Sequence, residues 1–201
     1  MFDKKAETSV PITETLANRW SGRAFDPDKT ISHTELSVLL EAARWAPSSM
    51  GYQPWRFLIT DKQKTPSEWQ SLLDALAESN QLWAKSAPVL MAVFSDLLFE
   101  DGKPNRWALY DTGAAVMSVA AQATELGIMT HQMGGINAKK IQADFKVPDR
   151  YECITVVALG HQVDPCLVPE ELKAREFSPR KRRPLGLSFF LGSWETSWPE
   201  P

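Results

Sequence analysis

Alternating apolar runs and helical repeats predict a mixed domain of strands and helices, and their order alone points to a parallel, doubly wound α/β sheet. Three observations carry that expectation. PVLMAVFS at 88–95 and CITVVALG at 153–160 are nearly continuous apolar runs, the pattern of strands buried on both faces. Helical stripes separate such runs, the longest from Trp107 to Leu126. A chain of 201 residues with 43% hydrophobic content buries one sizeable core, so 1–201 reads as one domain.

The elements follow in order. Ser32 and Glu35 form a capping box, and Leu36, Leu39, Leu40 and Ala43 recur at helical spacing until Pro47, predicting a helix over 33–45. PSSMGYQPWRFLIT then reads as a loop feeding a strand at 55–60. Thr65 as cap, Pro66 at the first helical position and Glu68 three residues on predict a second helix, with Trp69, Leu72, Leu73 and Leu76 on one face and an end near Glu78 to Gln81. In the long helix, Ala114, Ala115, Val119, Ala120 and Ala123 predict close packing, and Gly127 stops it. IMTHQM is a short strand or turn broken by Gly134 and Gly135, and NAKKIQADF is a short helix capped by Asn137. From about 163 to 201 the chain mixes Pro, charge and isolated aromatics without sustained periodicity, the character of an extended C-terminal arm whose Phe189, Phe190, Trp194 and Trp198 need a surface to cover them.

Composition narrows the function classes. A formal net charge of -3 argues against a general polyanion binder, so no nucleic-acid partner is expected. No apolar run approaches the roughly 20 residues that cross a bilayer, and MFDKKAETSVPITETLANRW lacks a secretory pattern, so the expectation is a soluble, cytoplasmic protein without a membrane partner. Cys153 falls in an apolar run and Cys166 in a Pro-flanked loop, while His33, His131 and His161 are far apart, so no metal site is expected.

Two segments carry chemistry. Arg19, Ser21 and Arg23 set two guanidinium groups and a hydroxyl within five residues, a density of donors suited to a phosphate, although such a pair on a surface turn is more often solvated. Pro47, Ser48, Ser49, Met50, Gly51, Tyr52, Gln53, Pro54 and Trp55 join hydroxyls, an amide, a glycine and two prolines after a helix, a loop able to offer polar groups to a flat ring; a plain helix-to-strand turn needs fewer special residues.

RWSGR at 19–23 and APSSMGYQPW at 46–55, with a helix between them, resemble the nitroreductase family, whose signature is an Arg-x-Ser-x-Arg element followed by Ala-Pro-Ser-Ser-x-x-x-Gln-Pro-Trp. The resemblance continues through Asn80, the long helix, QMGGIN at 132–137 and KRRPL at 181–185. It implies an α+β fold with a largely antiparallel sheet flanked by helices, overriding the parallel reading, and a homodimer with exchanged terminal arms. It also implies FMN as cofactor and NAD(P)H as a transient co-substrate, with a small-molecule electron acceptor such as a nitroaromatic or quinone served in ping-pong fashion. The flavin carries the chemistry, so no catalytic side chain is assigned.

By the same resemblance, Arg19, Ser21 and Arg23 hold FMN near its phosphate and pyrimidine ends, and Trp20 contributes its backbone and ring. Pro47, Ser48 and Ser49 reach the flavin of the second subunit, and Gly51 stands where many members have an asparagine. Gln132, Met133, Gly134 and Gly135 lie beside the ring, where a backbone N–H faces the reactive nitrogen; many relatives carry glutamate at the place of Gly134. Lys181 and Arg183 complete the phosphate site, unless that basic run is an ordinary surface stretch. Asn80 touches the pyrimidine, or else ends a helix. Two other functions stay open on sequence: a flavin-binding or sensory homodimer with little turnover, and a dimeric interaction protein using its aromatic tail.

Overall fold

A computed structural model of the chain describes residues 2 and 4–199. Four strands, β1 (Trp55–Asp61), β2 (Val89–Asp96), β3 (Ile128–Met133) and β4 (Tyr151–His161), form one sheet in the order β1-β2-β4-β3, and every neighbouring pair is antiparallel. The parallel arrangement that alternation alone indicates is therefore corrected. A continuous apolar strand reports that both faces are covered, and says nothing about the direction of its neighbours.

Both faces are indeed covered. Val89, Met91 and Val93 of β2 pack with α2 (His33–Arg44) and α5 (Ala108–Glu125) through Leu39, Ala43, Ala115, Val119 and Ala123. Leu90, Ala92 and Phe94 point the other way, onto α3 (Pro66–Asp74), α4 (Glu78–Ala84) and α6 (Ala138–Asp144) through Trp69, Leu72, Trp83 and Ile141. The period-2 alternation of a strand thus splits one run between two cores.

Local sequence explains most boundaries. Ser32 accepts from the Glu35 N–H at 3.1 Å while the Glu35 carboxylate accepts from the Ser32 N–H at 2.7 Å, closing the expected box on α2. Asn137 caps α6 by accepting from Lys140 N–H at 3.1 Å, and Gly127 ends α5 at a left-handed φ of 67°.

Three expectations differ. The helix opened by Pro66 stops at Asp74, and a separate α4 begins at Glu78. The break has no Gly or Pro; Leu76 instead pairs with Ile136, Ala75 O accepts from Asn137 N–H at 2.7 Å, and Gly135 O accepts from Ala77 N–H at 2.8 Å. Tertiary pairing outweighs helix propensity. Thr65 does not cap its helix: its hydroxyl turns back to accept from Asp61 N–H at 2.9 Å. The region expected as an arm also contains α7 (Glu170–Glu176), whose acidic first turn and Lys173 and Arg175 near its end suit the helix dipole. A short helix, α1 (Glu14–Asn18), precedes the arginine element. None of the helices among the described residues is long and apolar enough to cross a membrane.

Candidate functional site

Helix α1 ends at Asn18, and Arg19 takes an extended conformation that starts a strap running to Phe25, which bridges Gln162. The strap is pinned from two sides. His131 on β3 donates from Nδ1 to Gly22 O at 3.0 Å, since a carbonyl can only accept. Glu176 at the end of α7, fully buried, accepts from Arg23 N–H at 2.9 Å and Ala24 N–H at 3.4 Å. Burial pushes the His131 pKa down to about 4, against the opposing pull of the Gly22 and Ser21 carbonyls, so the ring is neutral at pH 7. A β-carbon on Gly22 would collide with Met129 Sδ and come within 2.9 Å of the Trp20 ring, so only glycine lets the strap lie this close.

Beside the strap, a cavity of about 230 Å3 gathers six cations: Lys4, Arg19, Arg23, Arg175, Arg180 and Arg182, with Ser21 and Ser178 on its wall. Burial lowers the proton affinity of Arg19, Arg23 and Arg180, and neighbouring positive charge adds to it, from Arg182 on Arg19, from Arg175 on Arg23 and from both Arg19 and Arg182 on Arg180. Guanidinium groups stay protonated regardless. Arg19, Arg23 and Arg180 are half-buried and Arg175 and Arg182 exposed; like charges gathered this closely repel, and an anion among them relieves that repulsion. Arg180 also has a structural task, donating from Nη1 to Lys4 O at 2.6 Å and Ala17 O at 2.7 Å.

From this pocket a line of contacts leads to the turn after β3. The Arg23 guanidinium lies 5.9 Å from the Trp83 ring centroid, and Trp83 lies 4.4 Å from the His131 ring. Asn80 stands one turn before Trp83 on α4, and a β-carbon on Gly135 would come within 3.2 Å of its side-chain nitrogen. The break between α3 and α4 is therefore what sets Asn80 against the glycine turn. Among the described residues, the N–H groups of Gly134 and Gly135 have no protein acceptor, and space beside Gly134 is open.

The Pro47–Trp55 loop lies elsewhere. Ser49 N–H donates to Asp111 at 2.9 Å at the start of α5, and Ser48 Oγ accepts from Gln53 N–H at 3.2 Å. Met50, Gly51 and Gln53 have left-handed φ values of 51°, 72° and 49°. Two such residues without glycine in one loop store on the order of 1–3 kcal/mol each, a strain that collects where geometry serves a ligand. The loop follows α2 and anchors on α5, across the sheet from Asn80 and Trp83.

A larger cavity of about 700 Å3 shares Lys4, Arg19 and Trp20 with the cationic pocket and extends past His161 and Gln162. The described residues thus bring Arg19, Trp20, Ser21 and Arg23 to one pocket, and link it to Asn80, Met133, Gly134 and Gly135; Gln132 is exposed on β3 beside them. Pro47, Ser48, Ser49 and Gly51 stand apart. Lys181 and Arg183 are exposed and line neither cavity, while Arg180 and Arg182 do line the cationic one. In extended chain, alternate residues face opposite ways, so the basic run KRR reads equally well in two registers. Lys4, His131, Arg175 and Glu176 escape sequence reasoning, because their hydrogen-bond partners, or for Arg175 the Arg23 charge, are 109 or more positions away in the chain.

Fold and site together define a mixed α/β protein with a two-sided antiparallel sheet and a cationic pocket linked through Trp83 and Asn80 to a glycine turn. The sequence profile of the nitroreductase family matches residues 16–161, and the chain belongs to that family. It is similar to a solved oxidoreductase containing FMN, with 36% identity, a TM-score of 0.88, and coverage of 98% of this chain and 100% of that one. It is also 34% identical over 122 residues to a 15.4 kDa protein of Mycolicibacterium smegmatis, covering 61% of this chain and 82% of that one. To the major NAD(P)H-flavin oxidoreductase of Aliivibrio fischeri it is 37% identical over 71 residues, 35% of this chain and 31% of that one.

Proposed function

We propose that the chain works in the cytoplasm as a homodimer that passes hydride from NADH or NADPH, through FMN, to a nitroaromatic, quinone or other conjugated acceptor. The carrying observation is the crowding of Lys4 and five arginines on one small cavity beside a glycine turn with unused N–H donors. Membership of the nitroreductase family and the 36% identical oxidoreductase containing FMN support the oxidoreductase class and the cofactor.

The residues fit FMN by their own chemistry. A phosphate dianion offsets part of the positive charge on the cavity wall, where Glu176 is the buried carboxylate nearest the arginine strap. Six cations on one cavity, in a chain of net charge -3, suit one phosphate group better than a polymer of them. Arg19, Ser21 and Arg23, with Arg180 and Arg182, hold the phosphate, and Trp20 closes the wall. Gln132, Met133, Gly134 and Gly135 line the ring edge with backbone donors, and the Asn80 amide meets the pyrimidine. When bound, FMN supplies a ring that takes and gives a hydride.

The loop of Pro47, Ser48, Ser49 and Gly51 lies across the sheet from this half-site, which supports its use by a second chain's flavin. Exposed apolar side chains on the same side support a subunit contact: Leu16 on α1, Val38 on α2 and Met117 on α5, with Trp45 at 77% and Tyr110 at 78% exposure. The partner's loop then covers the ring and excludes water, leaving one face for nicotinamide and acceptor in turn, which makes the kinetics ping-pong.

The test is the visible spectrum of the purified protein, followed by anaerobic addition of NADH or NADPH and then of an acceptor. A yellow protein that bleaches with a nicotinamide and recovers with the acceptor supports the proposal. A colourless protein that refuses FMN overturns it, and a yellow one that neither nicotinamide bleaches shows a binding protein without turnover.

A further inference from the structure

We infer that Lys4 is a phosphate ligand of this site and that the N-terminal segment carrying it closes over the phosphate as a strap. The inference rests on the flavin reading above. Lys4 lies upstream of residues 16–161, the segment matched by the family profile.

Three observations lead there. First, Lys4 is 8% exposed, an unusual burial for a lysine. Second, everything it touches belongs to the cationic pocket. Its Nζ donates to Ser178 O and sits 4.7 Å from the Trp20 ring centroid, and its own carbonyl accepts from Arg180 Nη1 at 2.6 Å. Third, Lys4 lines both the small cationic cavity and the larger one beside it, so it stands on the wall between them.

An ammonium has three donors. Ser178 O takes one and the Trp20 face shares part of the charge, which leaves donor capacity for a phosphate oxygen. Burial lowers the proton affinity of Lys4, and Glu176 opposes that shift while Arg180 adds to it. An anion in the pocket would reverse the balance and hold the ammonium charged.

The backbone of the segment is tied down at the same cluster. Ala6 N–H donates to Ala17 O at 2.9 Å, and that carbonyl also accepts from Arg180 at 2.7 Å. Arg180 therefore joins the N-terminal segment, the end of α1 and the pocket wall. Phosphate that organises Arg180 and Lys4 also holds the segment in place, so occupancy and segment order are coupled.

FMN and riboflavin differ only by the phosphate, and so separate a phosphate ligand from a packing residue. In Lys4→Met, FMN affinity should fall roughly ten- to hundred-fold, the worth of a charge-assisted hydrogen bond, while riboflavin affinity holds. Lys4→Arg should keep FMN affinity within about threefold, because it restores the charge and donors. In the unaltered protein, FMN but not riboflavin should slow tryptic cleavage after Lys4 and Lys5, a readout that needs no variant to fold. Equal losses of both ligands in Lys4→Met, no loss of either, or equal protection of the segment by both would overturn the inference. An unaltered protein that binds FMN no better than riboflavin would instead sink the phosphate-site reading itself.

Discussion

The carboxylate of Glu176 and the backbone N–H of Arg23, 2.9 Å apart, join the last turn of α7 to the arginine strap across 153 residues of sequence. A second N–H, from Ala24, reaches the same carboxylate at 3.4 Å. This buried acceptor fixes where the Arg23 side chain starts, and so where the cationic cavity opens.

Glu176→Ala should leave the buried Ala24 N–H and the part-buried Arg23 N–H without acceptors, costing about 1–3 kcal/mol for the first and less for the second. For a chain of this size each kcal/mol lowers Tm by about 2–4 °C, so a fall of several degrees with weakened FMN retention is expected in a thermal melt. A melt that matches the unaltered protein would remove Glu176 from its anchoring role.

His131 sets a pH dependence whose sign follows from its depressed pKa. The ring has an ordinary value of 6.5 and is pushed down to about 4 by burial, so the unfolded chain binds more protons across that window. Stability present above pH 6.5 is lost as the pH falls toward 4, by roughly 3 kcal/mol if this group acts alone. Glu176 works the opposite way, because burial raises its pKa and the native state gains its proton first. The comparison is therefore between the protein and His131→Asn, by urea denaturation at pH 7 and pH 4.5. The variant should lose less stability on acidification; parallel losses would contradict the assignment.

Arg182→Ala should weaken FMN binding roughly tenfold or more, and Arg183→Ala by less, as measured by equilibrium fluorescence titration. This pair decides the register of the basic run, since Arg182 lines the cationic cavity and Arg183 lines neither cavity. The reverse ranking would restore the register in which Lys181 and Arg183 complete the phosphate site.

Two glycines should respond in opposite ways. Gly22→Ala forces a β-carbon against Met129 and Trp20 and should cost about 1–3 kcal/mol with loss of flavin. Gly134→Ala meets open space and should change stability by less than about 0.5 kcal/mol. On the proposed reading, which sets Gly134 beside the flavin ring edge, its substitution should instead alter acceptor preference, read as a change in KM across an acceptor panel.

Much of this was legible in the chain itself. The strands at 55–61, 89–96 and 151–161 announce themselves by composition, and the caps at Ser32 and Asn137 behave as local rules require. Strand direction was not legible, because two-sided burial looks the same in either sense. Nor was the break at 75–77, where pairing with residues 135–137 overrides a sequence that favours continued helix. In the site, RWSGR shows its density of donors locally, while the glycine turn drew attention as part of the site through the family resemblance and through no local rule. Lys4, Arg175 and Glu176 could not, since each acquires meaning only when α7 and the N-terminal segment fold against the strap.

In the proposed dimer a flavin site is divided between two chains, arginines from one and the Pro47–Gly51 loop from the other. Subunit complementation tests it most directly. Arg19→Ala and Ser49→Leu homodimers should each fail to retain FMN; unfolded together and refolded as an equal mixture, they should form heterodimers with one intact site each. With random pairing, about a quarter of the unaltered protein's flavin content should return. No recovery, with heterodimers present, would place the whole site within a single chain and contradict the account.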